Sequence, residues 1–167
     1  MKFIRYGLIA IIGGFVIKKV IDVNSFYKTF DFGIKASLFG IRSGNIVVVA
    51  SVQIDNPTSV GYNMSKPYIK IFNTSKVVVA KSVITNEKYD IKPKSSTIID
   101  NIVINIPIIS FLGLISNVAP AVYQKIKDSI QNNKLPQDMT IGAKFLTQTI
   151  FDFDILKDII IDREITI

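Results

Sequence analysis

Residues 55–59 (DNPTS) bring a carboxylate, an amide and two hydroxyl groups together directly after an alternating apolar run. Groups of these types can form a polar site, because they accept and donate hydrogen bonds and carboxylates accept protons. The same residue types also build turns, since Asn and Thr side chains bind nearby backbone groups and Pro interrupts strand pairing. No base with a suitable pKa stands beside them, so we expect a structural turn formed by Asn56, Pro57 and Thr58.

Acidic side chains crowd the C-terminal segment, at spacings that would place many of them on one strand face. They are Asp152, Asp154, Asp158, Asp162 and Glu164. Carboxylates on one face can bind a metal ion, but calcium sites usually gather them on a glycine-bearing loop, and this segment has none. We therefore expect these residues to pair with lysines on a neighbouring strand, and we predict no metal site.

The residue types that are missing exclude several kinds of chemistry. The chain has no Cys, no His and no Trp, and Glu occurs only at positions 87 and 164. Disulfides, thiol catalysis and thiolate metal sites are thereby excluded, as are triads built on histidine. The sequence predicts no catalytic residue, no cofactor and no specific small molecule, and hence a non-enzymatic protein.

The net charge of +7 is unevenly distributed, because residues 1–94 hold fourteen Lys or Arg against five Asp or Glu. Such a balance can favour nucleic acid, an anionic membrane surface or an acidic partner. The lysines are scattered singly, without clustered Arg or interleaved aromatic residues. We therefore predict no nucleic-acid binding. We interpret the lysines as solvated residues at strand edges, where they discourage strand-to-strand aggregation.

Residues 1–23 form a basic, apolar, basic pattern in which an uncharged run from position 6 to position 17 is flanked by Lys and Arg. At about 1.5 Å per residue, a helix over this run alone covers only part of a hydrocarbon core of about 30 Å. Flanking residues would have to extend the span. The predicted anchor helix contains Tyr6, Leu8, Ile11, Gly13, Gly14, Phe15 and Ile17.

Three interpretations of this N-terminal segment remain open. A secretory signal would need a small-residue cleavage site, but Ile17 is followed directly by two lysines. A helix packed against a partner subunit would use the Gly13-Gly14 pair for close approach. An uncleaved membrane anchor is our first expectation, and the positive charges on both sides leave its orientation open.

The rest of the chain alternates between apolar and polar residues, with the period of two that indicates strands. The predicted strands cover residues 30–41, 45–55, 66–72, 76–85, 97–106, 139–150 and 153–167. A short hairpin connection is expected at residues 73–75. In the second strand, one face carries Ile46, Val48, Ala50, Val52 and Ile54, and the first half is apolar on both faces.

Residues 108–134 instead show helical spacing. The stripe comprises Leu112, Ile115, Ala119, Val122, Ile126 and Ile130. Pro120 requires a kink or a fresh helix start, with Asn117 as its cap, and residues 132–136 end the helix.

These elements predict a mainly β protein with an immunoglobulin-like Greek-key β-sandwich of about seven strands. One helix is inserted before the last two strands, and an apolar helix precedes the sandwich. We expect residues 1–24 to form the N-terminal helix and residues 25–167 the sandwich domain.

The order of these elements resembles the LEA type 2 proteins, whose core is the WHy (water stress and hypersensitive response) domain. The resemblance spans residues 28–167. It rests on the strand IVVVASVQI running into Asn56-Pro57-Thr58, then Tyr62, the strands KPYIKIF and VVVAKS, a strand ending at Pro107, the helix, and TIGAKF followed by Phe151-Asp152-Phe153. It implies a seven-stranded β-sandwich with a helix at one end, often behind a signal or anchor, a link with stress response, and no established catalytic residues.

Two placements follow as expectations. The first is a non-enzymatic module anchored through residues 1–23 in a membrane of the cell envelope, where it binds or protects. The alternative is a structural subunit of a homo-oligomer or larger assembly, such as a virion, with residues 1–23 packed between protein subunits. The third and least supported hypothesis is an enzyme or a carrier of a small apolar ligand, with a cavity lined by Ile102, Ile104, Leu112 and Ile115.

Overall fold

The computed structural model describes residues 31–135, 141–154 and 156–166, which form nine strands and two helices. The helices are α1 (Ile108–Leu114) and α2 (Pro120–Gln131). The strands are β1 (Asp31–Arg42), β2 (Asn45–Asn56), β3 (Tyr62–Ser65), β4 (Tyr68–Phe72), β5 (Val78–Ser82), β6 (Lys88–Ile91), β7 (Ser95–Pro107), β8 (Lys144–Phe153) and β9 (Leu156–Thr166). The expectation of a mainly β protein is therefore confirmed.

The nine strands form one antiparallel sheet with the order β1-β2-β7-β5-β4-β8-β3-β6, and β9 pairs with β8. Long ladders join β1 to β2, β2 to β7, and β8 to β9. The short strand β5 pairs with both β4 and β7 and so links the two parts of the sheet. Through Phe153, β8 also reaches β3.

The sheet curves so that β1 and β9, the first and last strands along the chain, approach one another. Arg163 of β9 makes an ion pair of 3.2 Å with Asp31 of β1, and its guanidinium group lies 4.4 Å from the ring centre of Phe32. The ring of Phe32 also meets the ring of Phe151 edge to face, with centres 5.2 Å apart. Because these contacts join β1 to β8 and β9, the inward faces of the sheet enclose one core.

Strand β2 runs through the middle of that core and follows the predicted alternation. Val47, on the opposite face, is also buried, as the apolar first half of the strand predicts, whereas Gln53 near the other end is exposed. The predicted inward residues are each at most 1% exposed: Ile46, Val48, Ala50, Val52 and Ile54.

Two hairpins have turns that their residues explain. Ser43 and Gly44 both have positive φ, 49° and 75°, as a two-residue turn between twisted antiparallel strands requires. Between β4 and β5, the side chain of Asn73 accepts a hydrogen bond of 2.9 Å from the backbone N–H of Val77. The predicted hairpin at residues 73–75 is thus confirmed.

The single inserted helix predicted for residues 108–134 is wrong, because the described segment contains two helices. Pro120 occupies the first turn of α2, as expected of a fresh start. The cap is Ala119 rather than the predicted Asn117, and Ala119 is exposed instead of buried. Ile115 and Ile126 are fully buried, as predicted. Neither helix of the described ranges has the length and apolar character needed to cross a bilayer.

The strand count of about seven is also wrong, because β3 and β6 were not predicted. They are four residues each and pair with one another through Tyr62 and Ile91. Asn63, Lys88 and Asp90 fall on the exposed positions of a regular alternation, but four residues are too few to give a clear periodic signal. At the other end of the chain, β8 continues to Phe153, beyond the predicted boundary.

The predicted anchor helix lies outside the described residues, as does the predicted domain boundary after residue 24. Its residues Tyr6, Leu8, Ile11, Gly13, Gly14, Phe15 and Ile17 therefore stay a prediction from sequence.

Candidate functional site

Asn56 is the last residue of β2 and lies at a buried corner of the fold. Its exposure is 2%, and that of Thr58 is 8%, whereas Pro57 between them faces solvent. Strand pairing ends where Pro57 begins, as expected from its missing N–H and its restriction of the preceding residue.

The side chain of Asn56 bonds in two directions. Its amide nitrogen donates to the carbonyl oxygens of Val60, at 2.8 Å, and Lys92, at 2.9 Å. Its amide oxygen accepts from the backbone N–H of Thr58, at 3.1 Å, and from the Thr58 hydroxyl, at 2.8 Å. The backbone N–H of Lys94 donates to the carbonyl of Thr58, at 2.9 Å, so the corner joins the 57–61 turn to the 92–94 turn.

The other polar residues of the DNPTS stretch do not converge on Asn56. Asp55 points to the opposite face of β2, where it accepts a hydrogen bond of 3.2 Å from Gln53. Ser59 is exposed on the turn. Since the amide of Asn56 is engaged by backbone groups, this corner holds the chain together and presents no set of converging reactive groups.

The acidic side chains of the C-terminal segment pair mainly with donors from other strands. Within the described ranges, no group of three or more acidic residues could hold a metal ion. The predicted pairing with a lysine on a neighbouring strand is confirmed for Glu164 of β9, which lies 3.0 Å from Lys144 of β8. Asp154, directly after β8, also pairs with a lysine at 2.8 Å, but Lys88 belongs to β6, which β3 separates from β8.

Two of the remaining acidic side chains have partners other than lysine. Asp162 accepts from the Gln148 amide at 3.1 Å, and Asp152 accepts from the backbone N–H of Asp158 at 3.0 Å. These contacts hold β8 and β9 together and bend the turn between them.

Glu87 is a carboxylate with two side-chain donors. Lys66 and the Tyr89 hydroxyl each donate to its Oε2 at 2.9 Å. The hydrogen bond from Lys66 lowers the pKa of Glu87 the most, and the bond from Tyr89 lowers it further. Burial raises the pKa of Tyr89 the most, and the hydrogen bond to Glu87 raises it further. A carboxylate held charged in this way is a weak proton acceptor at neutral pH, so the trio acts as a structural ion pair.

A groove of about 440 Å³ lies at the end of the fold where α1 finishes. Its walls come from the β4–β5 turn, from the end of α1 and the residues that follow it, and from the beginning of β8 with β9 beside it. No sequence pattern predicted it, because its lining residues belong to four separate segments. The residues predicted to line an apolar cavity lie elsewhere: Ile102, Ile104 and Ile115 are at most 1% exposed within the core, and Leu112 packs against them.

Comparison with models of known protein families gives no match, and comparison with curated protein sequences gives none either. Among solved structures, a crystal structure of a protein from Archaeoglobus fulgidus is similar over 83% of this chain and 98% of that chain, with 15% identity and a TM-score of 0.44. The solution structure of a candidate late embryogenesis abundant (LEA) protein is similar over 91% of this chain and 83% of that chain, with 14% identity and a TM-score of 0.38.

Proposed function

We propose that this chain is a non-enzymatic β-sandwich module of the LEA type 2 kind, with a WHy-like core, held at a membrane of the cell envelope by residues 1–23. In this proposal the β domain binds or protects other envelope components, and the N-terminal apolar segment determines where it acts. The domain uses no cofactor and carries no catalytic residue.

The observation that carries the non-enzymatic part is how the buried polar groups are used. Of the five buried polar side chains in the described ranges, four bond to the backbone: Asn56, Thr58, Ser82 and Thr147. The fifth, Thr149, lies in the core between neighbouring strands and has no hydrogen-bond partner among the described residues. Buried groups committed to the backbone fix a fold, whereas reactive groups must face a substrate.

The placement at a membrane is supported by the sequence of residues 1–23, in which an uncharged run lies between basic residues that can reach the lipid headgroups. A charge in the middle of that run tests it. Asp at the centre of a membrane helix costs about 2.5–3.5 kcal/mol of insertion free energy. Ile11→Asp should therefore move the full-length protein out of alkali-washed membranes.

Ile109→Asp is the matched control, because Ile109 is 87% exposed on the β domain and the change is chemically the same. We expect it to fractionate like the wild type. Recovery of the wild-type chain as a soluble monomer, or equal behaviour of the two variants, would refute the anchored placement.

The alternative proposal is a structural subunit of a larger assembly, such as a virion, in which residues 1–23 pack against other copies or other proteins. Several large apolar side chains on the described surface favour it, since such residues often mark interfaces. Phe39, Ile84 and Ile109 are 76%, 75% and 87% exposed. Defined oligomers of the detergent-free protein in native mass spectrometry, with no membrane association, would favour this alternative over the first proposal.

A further inference from the structure

The groove beside the end of α1 has the size and composition of a ligand site. Its volume of about 440 Å³ falls within the range of about 300–1,000 Å³ that is usual for small-molecule pockets. Its apolar surface comes from Phe72 of β4, Leu146 of β8, Leu114 at the end of α1 and Val118 in the segment that follows α1. Leu146 is 41% exposed, and the other three are half-buried, so these side chains are open to a further apolar contact.

Two glycines leave part of the groove unfilled. Gly113 belongs to α1 and Gly142 directly precedes β8, and both line the groove. A Cβ atom added at either position would meet no other heavy atom within 4 Å. Gly142 has φ of 68°, which explains its identity by backbone conformation. Gly113 is helical, so its missing side chain has no such conformational reason, and it leaves space at the groove wall.

The polar rim of the groove carries more positive than negative charge. Lys76, Lys144 and Glu164 all line it, and Glu164 is paired with Lys144 at 3.0 Å. Lys76, on the β4–β5 turn, makes no ion pair with any residue in the described part of the chain. Asn117 adds an exposed amide on the same rim. An unpaired ammonium and an amide donor are complementary to an anionic oxygen group.

We infer that this groove binds a single-chain amphipathic anion, with its aliphatic tail on the apolar wall and its carboxylate or phosphate at Lys76. The tail replaces water on the half-buried side chains, and Gly113 leaves it room. This inference names a ligand class for the binding role proposed above and rests on that role.

Decanoate is the probe, titrated below its micelle concentration into the full-length protein and followed by isothermal titration calorimetry. Gly113→Leu adds a side chain at the groove wall, where a Cβ atom meets nothing within 4 Å, and we expect it to weaken decanoate binding at least tenfold. Gly40→Leu is the matched control, because a Cβ there also meets nothing within 4 Å but Gly40 lies on β1, away from the groove. Residues 1–23 are identical in both variants, so decanoate bound to that segment cancels in the comparison.

Lys76→Gln supplies a second test that does not depend on helix α1. Because exposed ion pairs contribute modestly, we expect it to weaken decanoate binding about two- to five-fold, and to strengthen rather than weaken any binding of decyltrimethylammonium, whose cationic head group the Lys76 ammonium repels. Lys127→Gln on the exposed face of α2 should leave decanoate binding unchanged. Phosphate-headed and carboxylate-headed probes of the same chain length distinguish the two possible head groups.

Equal decanoate affinity in Gly113→Leu and Gly40→Leu would overturn the inference, as would equal affinity in Lys76→Gln and the wild type. A change of oligomeric state in Gly113→Leu without any decanoate binding to the wild type would identify a second copy of the chain as the occupant and would also overturn it. Membrane fractionation with Ile11→Asp does not depend on the groove. Absence of decanoate binding would therefore leave the anchored placement intact, and loss of the anchored placement would leave the decanoate result intact.

Discussion

Replacing Asn56 with Ala should destabilise the protein strongly. The change removes two donated bonds, to the carbonyls of Val60 and Lys92, and one accepted from the backbone N–H of Thr58. The Thr58 hydroxyl can redirect its proton to the Val60 carbonyl, which lies 3.1 Å away. The Lys92 carbonyl keeps a bond of 2.9 Å from the Ser95 hydroxyl. The backbone N–H of Thr58 is left without a partner.

Two lost donated bonds at about 1 kcal/mol each, together with the buried Thr58 N–H left unsatisfied at about 1–3 kcal/mol, give a loss of about 3–5 kcal/mol. That is a large fraction of the ordinary stability of a domain, which is about 5–15 kcal/mol. The free energy of unfolding is measured by equilibrium urea denaturation followed by circular dichroism. Gln53→Ala is the control, because it also removes an amide from β2 but at an exposed position, and it should change stability by less than about 0.5 kcal/mol.

Asn56→Asp sharpens the test through its dependence on pH. The introduced carboxylate would face two carbonyl oxygens, so its folded-state pKa should lie above its unfolded value of about 3.9. A group with a raised folded-state pKa contributes stability below the unfolded pKa and loses it as the pH rises through the folded pKa. The variant should therefore be weakest at neutral pH and recover in acid relative to the wild type. A loss below about 1 kcal/mol for Asn56→Ala would refute the reasoning.

Three further predictions concern other parts of the fold. Glu87→Gln removes a carboxylate whose pKa is lowered by Lys66. The variant should be less stable than the wild type above pH of about 4.5, and this difference should vanish as the pH falls through the folded-state pKa of Glu87. A pH series of urea unfolding measures it. Phe111→Ala empties a fully buried position and should cost about 3–5 kcal/mol, whereas Ile109→Ala, two residues earlier and exposed, should change the free energy of unfolding by less than about 0.5 kcal/mol. Gly113→Ala should raise the melting temperature, by the equivalent of about 0.5–1 kcal/mol, because the helix gains a better former and its Cβ meets no atom within 4 Å; an unchanged or lower melting temperature would contradict this.

The sequence predicts those elements whose pattern is long and periodic. Strand β2 has five alternating apolar residues and is buried as predicted. Pro120 predicts either a kink or a fresh helix start, and the structure shows the fresh start, with Pro120 in the first turn, where its missing N–H needs no partner. Strands β3 and β6 escape prediction, since four alternating residues are too few to establish a period and the two strands depend on pairing with one another.

The candidate sites, like the short strands, could be predicted from the sequence only in part. The turn chemistry of Asn56, Pro57 and Thr58 is visible in the sequence, but the bond from Asn56 to the Lys92 carbonyl spans 36 positions and requires the fold. The groove beside α1 depends on four segments, from Phe72 to Glu164, that only the folded sheet brings together. Periodicity describes single elements, so it cannot predict a surface assembled between them.

The most direct test of the proposed anchored module is to determine what surrounds Ile11 in membranes that contain the full-length protein. A photo-activatable residue introduced at position 11 would form covalent adducts with its neighbours, which mass spectrometry identifies. The anchored placement predicts adducts with lipid acyl chains. Adducts with a protein subunit alone, and none with lipid, would contradict it.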